Sequence, residues 1–242
     1  MLRKKRNRSW ETTTATVAAC NLLFLTGDNM LESSNQTDYK FGGQFFSPSD
    51  KGVADDGTGY VKVSWKAEDI KPEMAEWTIT KNSVGNGYGA LYWQYFQPIY
   101  QVTNATSGLS VKKTYYVERY GNKMPIADGG SLKAGEKVFV KLEFSTGRDM
   151  EYVHLKDLRA GCFEPVEQLS SYKSNGKISY FQSNRDVASH FFMDFLPKGE
   201  HIIEYELKTY YKGTFSSGIA TIQSMYAPEF NAHSSGSLIR VE

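Results

Sequence analysis

The chain has 242 residues, 40% of them hydrophobic and 14% aromatic, which excludes global disorder and allows one large or two small domains. Its 16 Tyr, 14 Phe and 21 Gly describe many short strands and turns. A formal charge of +1 excludes a dedicated nucleic-acid binder, which needs a basic surface.

The basic run Arg3-Lys4-Lys5-Arg6-Asn7-Arg8 could be a nuclear-localisation or phosphate patch. No Gly-rich or aromatic nucleic-acid motif accompanies it, so it reads as a solvated helix end or terminus. Val17-Ala18-Ala19-Cys20 imitates a lipoprotein box. Residues 9–16 before it are polar, however, and the apolar stretch Leu22 to Leu25 follows it, the reverse of an export signal. No run of about 20 apolar residues could span a membrane. Thr12, Thr13 or Thr14 can cap a helix over about 15–25, with Gly27 as its stop. Ala15, Ala18, Ala19, Leu22 and Leu23 give it one apolar face. In isolation that face has no partner, so the helix either folds onto the following β segment or mediates self-association. Two cysteines, Cys20 and Cys162, make no disulfide framework and are expected as free, buried thiols.

Residues 36–105 read as a first β segment. Tyr60 to Trp65 and Glu76 to Thr80 alternate, and Asn86-Gly87 is a hairpin signal leading into an aromatic strand from Tyr88 to Phe96. Asp50, Asp55 and Asp56, with Gly57 and Gly59, offer loop oxygens that could hold calcium. Their spacing fits no EF-hand, and a solvated acidic loop is the simpler reading. Gly85 to Gly89 lacks the strand–turn–helix setting and the Lys-Ser/Thr of a phosphate loop, which leaves a hairpin turn.

Residues 106–242 read as a more complete antiparallel β-sandwich. Its strands fall near 109–120, 137–145, 151–158, 177–182, 187–196, 201–212, 215–224 and 236–241. The organising stretch is Val138 to Val166, a hairpin of two strands joined by a turn at Gly147, against which the rest of the domain is expected to pack. Val138, Val140, Leu142 and Phe144 form the buried face of the first. In the second, Tyr152, His154 and Lys156 oppose Val153, Leu155 and Leu158. The chain leaves through Asp157-Leu158-Arg159-Ala160-Gly161 and breaks at Pro165. Pro228 halts the strand that ends near Ser224, because proline cannot donate to a ladder and restricts Ala227 before it.

These residues carry a family resemblance. Gly135-Glu136 before a strand, then Val153, Leu155, Asp157, Ala160-Gly161 and Glu164-Pro165, resembles the last macroglobulin-like domain of bacterial, Bacteroidetes-like alpha-2-macroglobulins. Met225-Tyr226-Ala227-Pro228-Glu229 before a final strand supports the same family, and Trp10 to Leu25 looks like the last helix of its thioester-bearing domain. The resemblance implies a mainly β fragment: 1–35 the end of the thioester-bearing domain, 36–105 half of a CUB-like sandwich, 106–242 the C-terminal macroglobulin-like domain. It implies a non-enzymatic part of a broad-spectrum endopeptidase inhibitor of the periplasm or cell envelope. Its partners would be proteases, reached through the full-length parent, and the thioester-bearing domain of the same chain. No cofactor, metal or nucleic acid is called for.

Catalytic chemistry finds little support. Cys162-Phe163-Glu164-Pro165 sits close to the family's thioester pattern, but proline stands where the acyl-donating glutamine must be, and Gln168 lies too far along. His154, His190, His201 and His233 show no metal-ligand spacing, and no nucleophile elbow occurs. Glu164 and Glu167 are close in sequence, with nothing to indicate a cleft. The aromatics Tyr88, Tyr92, Trp93, Tyr95, Phe96 and Tyr100 could stack on sugar rings, which keeps a carbohydrate-binding or adhesive module as the alternative; sandwich core plus cross-strand pairs is the plainer use. Met225, Tyr226, Pro228 and Glu229 are the candidate interface. Tyr226 either plugs the open end of the sandwich or docks against the thioester-bearing domain and keeps water from its reactive bond.

Overall fold

Alternating apolar and polar residues become strands through most of the computed structural model, which describes residues 12–26, 37–46, 53–55, 60–82 and 90–242. Two units are distinguished, one of Thr12–Trp93 and one that includes Gln94–Glu242. The basic run at 3–8 and the Gly-rich turn at 85–89 lie outside the described residues, as does the acidic loop apart from the backbone of Asp55.

In the first unit, helix α1 (Thr13–Thr26) begins where the sequence allows. Thr12 caps it, its Oγ1 accepting from the Ala15 N–H at 3.1 Å. Strands β1 (Thr37–Phe41) and β2 (Gln44–Phe46) join through Gly42-Gly43, both at positive φ. A type I′ two-residue hairpin turn needs that conformation at both central positions. Strands β3 (Val53–Asp55) and β4 (Tyr60–Lys62) pair with each other, and β5 (Trp77–Lys81) completes the sheet β2-β1-β5. Of the strand expected over 88–96, the described residues 90–96 carry no ladder, and a 3₁₀ turn follows at Ile99–Gln101. Trp93, Tyr95 and Phe96 put aromatics on both parities, so neither face is a one-sided apolar stripe of the kind that fixes a strand.

The second unit is the β-sandwich. Its strands in order are β6 (Ala105–Ser107), β7 (Leu109–Arg119), β8 (Asn122–Pro125), β9 (Ser131–Leu132), β10 (Lys137–Thr146), β11 (Met150–Leu158) and β12 (Phe163–Pro165). They continue as β13 (Ser171–Ser174), β14 (Ser179–Asn184), β15 (Ala188–Leu196), β16 (Gly199–Thr209), β17 (Gly213–Ser216), β18 (Ala220–Ser224), β19 (Asn231–His233) and β20 (Leu238–Val241). One sheet runs β12-β16-β10-β7-β8 and the other β13-β14-β15-β11-β18-β19-β6; a small sheet β17-β20-β9 stands beside them. Leu142, Leu155, Phe191, Ile203, Leu207 and Ile222 are fully buried between the layers.

The central stretch departs from expectation. β10 and β11 do not pair with each other. β10 lies between β7 and β16, whereas β11 lies between β15 and β18 in the other sheet. Each strand has both edges occupied and one buried, mainly apolar face, and joining opposite layers buries both faces at once. The turn at 147–149 is therefore a sheet-to-sheet crossing, held by the Arg148 N–H donating to Thr146 Oγ1 at 3.3 Å and the Lys198 N–H to Asp149 Oδ1 at 2.8 Å. The strand expected over 215–224 is likewise split into β17 and β18, which belong to different sheets. Gly218 sits at the break with φ +72°, where a Cβ would overlap the Leu158 carbonyl. Finally, Asp157 rather than Leu158 shares the inward face of β11 with Val153 and Leu155, as strict alternation requires.

Candidate functional site

The turn between β18 and β19 is built so that its small and aromatic members divide between inside and outside. Ser224 N–H donates to the Phe230 carbonyl at 3.0 Å and Phe230 N–H to the Ala227 carbonyl at 2.9 Å, closing the loop. Ser107 Oγ reaches the Glu229 carbonyl at 2.7 Å and Asn231 Nδ2 the Pro228 carbonyl at 2.8 Å. Ala227 and Phe230 are buried, and Gly108 leaves room for the Phe230 ring. Those two side chains fill the end of the sandwich. Met225 and Tyr226 point outward, 59% and 57% exposed, with Pro228 and Glu229 also at the surface.

Tyr226 has one aromatic neighbour of note. The Tyr152 ring meets it edge-on, centroids 5.1 Å apart, and the Tyr152 carbonyl accepts the Met225 N–H at 2.9 Å. Tyr152 holds φ +53° inside β11, a left-handed conformation that costs a non-glycine residue of order 1–3 kcal/mol. The sequence gives no sign of this, since alternation alone makes Tyr152 an ordinary outward residue.

At its other end β11 contributes to a buried polar cluster shared with the opposite sheet. Lys113 on β7 faces Asp157 on β11, with Nζ 2.5 Å from Oδ1 and side chains 3% and 0% exposed. Lys113 Nζ also donates to the carbonyls of Leu158 at 2.6 Å and Ser217 at 3.3 Å. Tyr205 on β16 donates its hydroxyl to Asp157 Oδ2, and Tyr115 on β7 donates to the Ser217 carbonyl at 2.6 Å. Burial pulls the Lys113 ammonium below its ordinary range, against the opposing charge of Asp157. Burial first, then the Asp157 charge, pushes both phenols well up. Sequence reading passed over this cluster, although period two from Leu109 and Val111 places Lys113 inside, and from Val153 places Asp157 inside.

The remaining candidates are placed as follows. Cys162 is buried and its thiol is pushed up to about 11 by desolvation, so it is no nucleophile at neutral pH; Cys20, expected buried, is exposed, because α1 buries Ala19 alone among the described residues of its unit. His154 and His190, read as single, are cross-strand neighbours with Nε2 and Nδ1 2.9 Å apart, beside Phe192. Sequence distance hides that meeting. Glu164 and Glu167 line no described cleft; Glu167 instead pairs with Lys173. Tyr92, Tyr95 and Phe96 are exposed, which does not fit the sandwich-core reading of the aromatic run. Among the described residues no group of three or more His, Cys, Asp or Glu could hold a metal ion, and no helix is long and apolar enough to cross a membrane.

Comparison with known proteins places this geometry. Residues 108–229, half of the chain, match the model of the bacterial alpha-2-macroglobulin MG10 domain. No curated protein matches. Among solved structures, Salmonella alpha-2-macroglobulin reacted with methylamine is similar at 18% identity and TM-score 0.47, over 58% of this chain and 10% of that one. Escherichia coli alpha-2-macroglobulin activated by porcine elastase is similar at 15% identity and TM-score 0.49, over 58% and 14%. Native Escherichia coli alpha-2-macroglobulin from domain MG7 to the C-terminus is similar at 16% identity and TM-score 0.45, over 57% and 24%. The chain thus spans between a tenth and a quarter of the proteins it resembles.

Proposed function

The chain belongs to the bacterial alpha-2-macroglobulin family, and from that premise we propose that it serves as the non-catalytic C-terminal part of a longer endopeptidase inhibitor of the periplasm or cell envelope. In this reading the 1–35 segment is the end of a thioester-bearing domain and 36–105 half of a CUB-like sandwich. The sandwich holds and shields the thioester-bearing domain, and proteases are met only through the full-length protein.

The observation that carries the reading is the division of labour in the 224–230 turn. Ala227 and Phe230 close the sandwich end, so Tyr226 is not needed as a plug and stands outside against Tyr152. An exposed Met beside two packed tyrosines is an adaptable apolar patch with polar tips, suited to a domain interface. There it would cover the thioester and exclude water. Tyr226→Ala in the full-length protein is expected to speed reaction of the thioester with methylamine, while the melting temperature of this chain stays nearly unchanged. A large loss of stability with no change in that rate would return Tyr226 to a structural role. The exposed Tyr95 and Phe96 keep sugar binding as the second reading; saturable binding on a glycan array, lost in Phe96→Ala, would favour it.

A further inference from the structure

Lys113 and Asp157 meet across the two layers of the sandwich, an amine from one sheet against a carboxyl from the other, in a place that water does not reach. The approach is close, 2.5 Å from Nζ to Oδ1, and Oδ1 is a buried oxygen to which no well-directed hydrogen bond runs. Two backbone carbonyls, of Leu158 and Ser217, hold the amine from behind. The Ser217 carbonyl can stand there because Gly218, at the break between β17 and β18, lets the chain close onto Leu158 without a Cβ in the way. On the far side of the carboxyl, Tyr205 donates its hydroxyl to Oδ2.

Keeping two charges in such a place is expensive, and moving one proton from the ammonium to the carboxylate removes both. Desolvation acts on Lys113 in that direction. A neutral amine touching a neutral carboxyl, with water excluded, is the reactant state of amide formation. Opposing strands that hold the two groups in place supply an effective molarity on the order of 10⁵–10⁸ M, the range of well-oriented intramolecular reactions.

We propose that Lys113 and Asp157 condense to an amide, a covalent cross-link between the two sheets formed by the folded chain itself. The Lys113 nitrogen adds to Asp157 Cγ, forming the C–N bond of a tetrahedral intermediate, and collapse of that intermediate breaks the C–Oδ1 bond. Oδ1, the oxygen next to the amine, leaves as water with two of the three ammonium protons; the third remains as the amide N–H. Oδ2 carries the negative charge of the tetrahedral intermediate under the Tyr205 hydroxyl and becomes the amide oxygen, so Tyr205 acts as the oxyanion donor. No oxidant, metal or co-reactant takes part, and net charge does not change.

The test is the intact mass of the full 242-residue chain, produced natively and then denatured. The expected result is a mass lighter by one water, with a branched tryptic peptide joining the segments of Lys113 and Asp157. Lys113→Arg, which keeps the positive charge, should show its full mass, and Tyr205→Phe should give a mixture of the two masses that moves toward the lighter on incubation. A wild-type chain that is folded by circular dichroism yet keeps its full mass would overturn the cross-link and leave a buried ion pair. A lost water that persists in Lys113→Arg, or that yields no branched peptide, would overturn it equally. Tyr205→Phe reacting as completely and as fast as wild type would remove Tyr205 from the mechanism.

Discussion

The two units use the same kind of strand and end in different states. In the first, β1 and β5 pair in register, Tyr39 opposite Ile79 and Phe41 opposite Trp77, yet every residue of β5 is exposed. In the second, β10 and β16 pair over ten residues, and the inward face of β10 from Val138 to Phe144 is buried against a second sheet. Alternation and β-propensity suffice to make a strand, but only a second layer turns its apolar face into stability. Among the described residues the first unit buries Ala19 alone, while the second buries aromatic and aliphatic side chains throughout both layers.

Core substitution should break the comparison most sharply. Phe191→Ala, at a fully buried site, is expected to cost about 3–5 kcal/mol in urea-induced unfolding of the chain, from lost transfer energy plus the cavity left behind. Ile79→Ala, at a side chain 38% exposed, should cost under about 1 kcal/mol in the same measurement. Equal losses would mean that the first unit has a core of its own. Native-state hydrogen exchange sharpens the same contrast: amides of β1 and β5 should open well before those of β10, β11 and β16. Uniform protection across both sets would count against it.

A smaller effect separates the two faces of the second unit's larger sheet. His154 lies on the outer face, and its folded pKa is lowered from 6.5 to about 4 by desolvation first, then by His190 and Lys156. The unfolded chain therefore takes up a proton that the folded chain refuses. The contribution of His154 is fully present above pH 6.5 and is lost progressively as pH falls toward 4. Partial exposure screens the effect, so His154→Phe should flatten the pH dependence of the melting temperature between those limits without changing it near pH 8 by much.

The smallest change in stability is expected at α1. Leu22 is 49% exposed and Leu25 84%, so Leu22→Glu should leave the unfolding midpoint where it is. If the helix mediates self-association, the same substitution should shift the sedimenting species toward monomer. A compact monomer for both wild type and variant would show that the face serves no partner of its own kind.

Much of this was legible in local pattern. Thr12 capped the helix, and period two located β7, β10, β11 and β15 almost to the residue, because caps and a one-sided apolar face are set by neighbours along the chain. The family motif from Val153 to Pro165 was legible for the same reason. Tertiary structure alone decided what those strands met. Whether β10 pairs with β11 or crosses to the other layer depends on which edges β7, β16, β15 and β18 occupy, and each of those lies far along the chain. The meeting of Lys113 with Asp157, of His154 with His190 and of Tyr152 with Tyr226 follows from that choice of layers and register. Alternation assigns each residue a face but carries no information about the residue opposite, since strand pairing is settled by burying every face in the sandwich together.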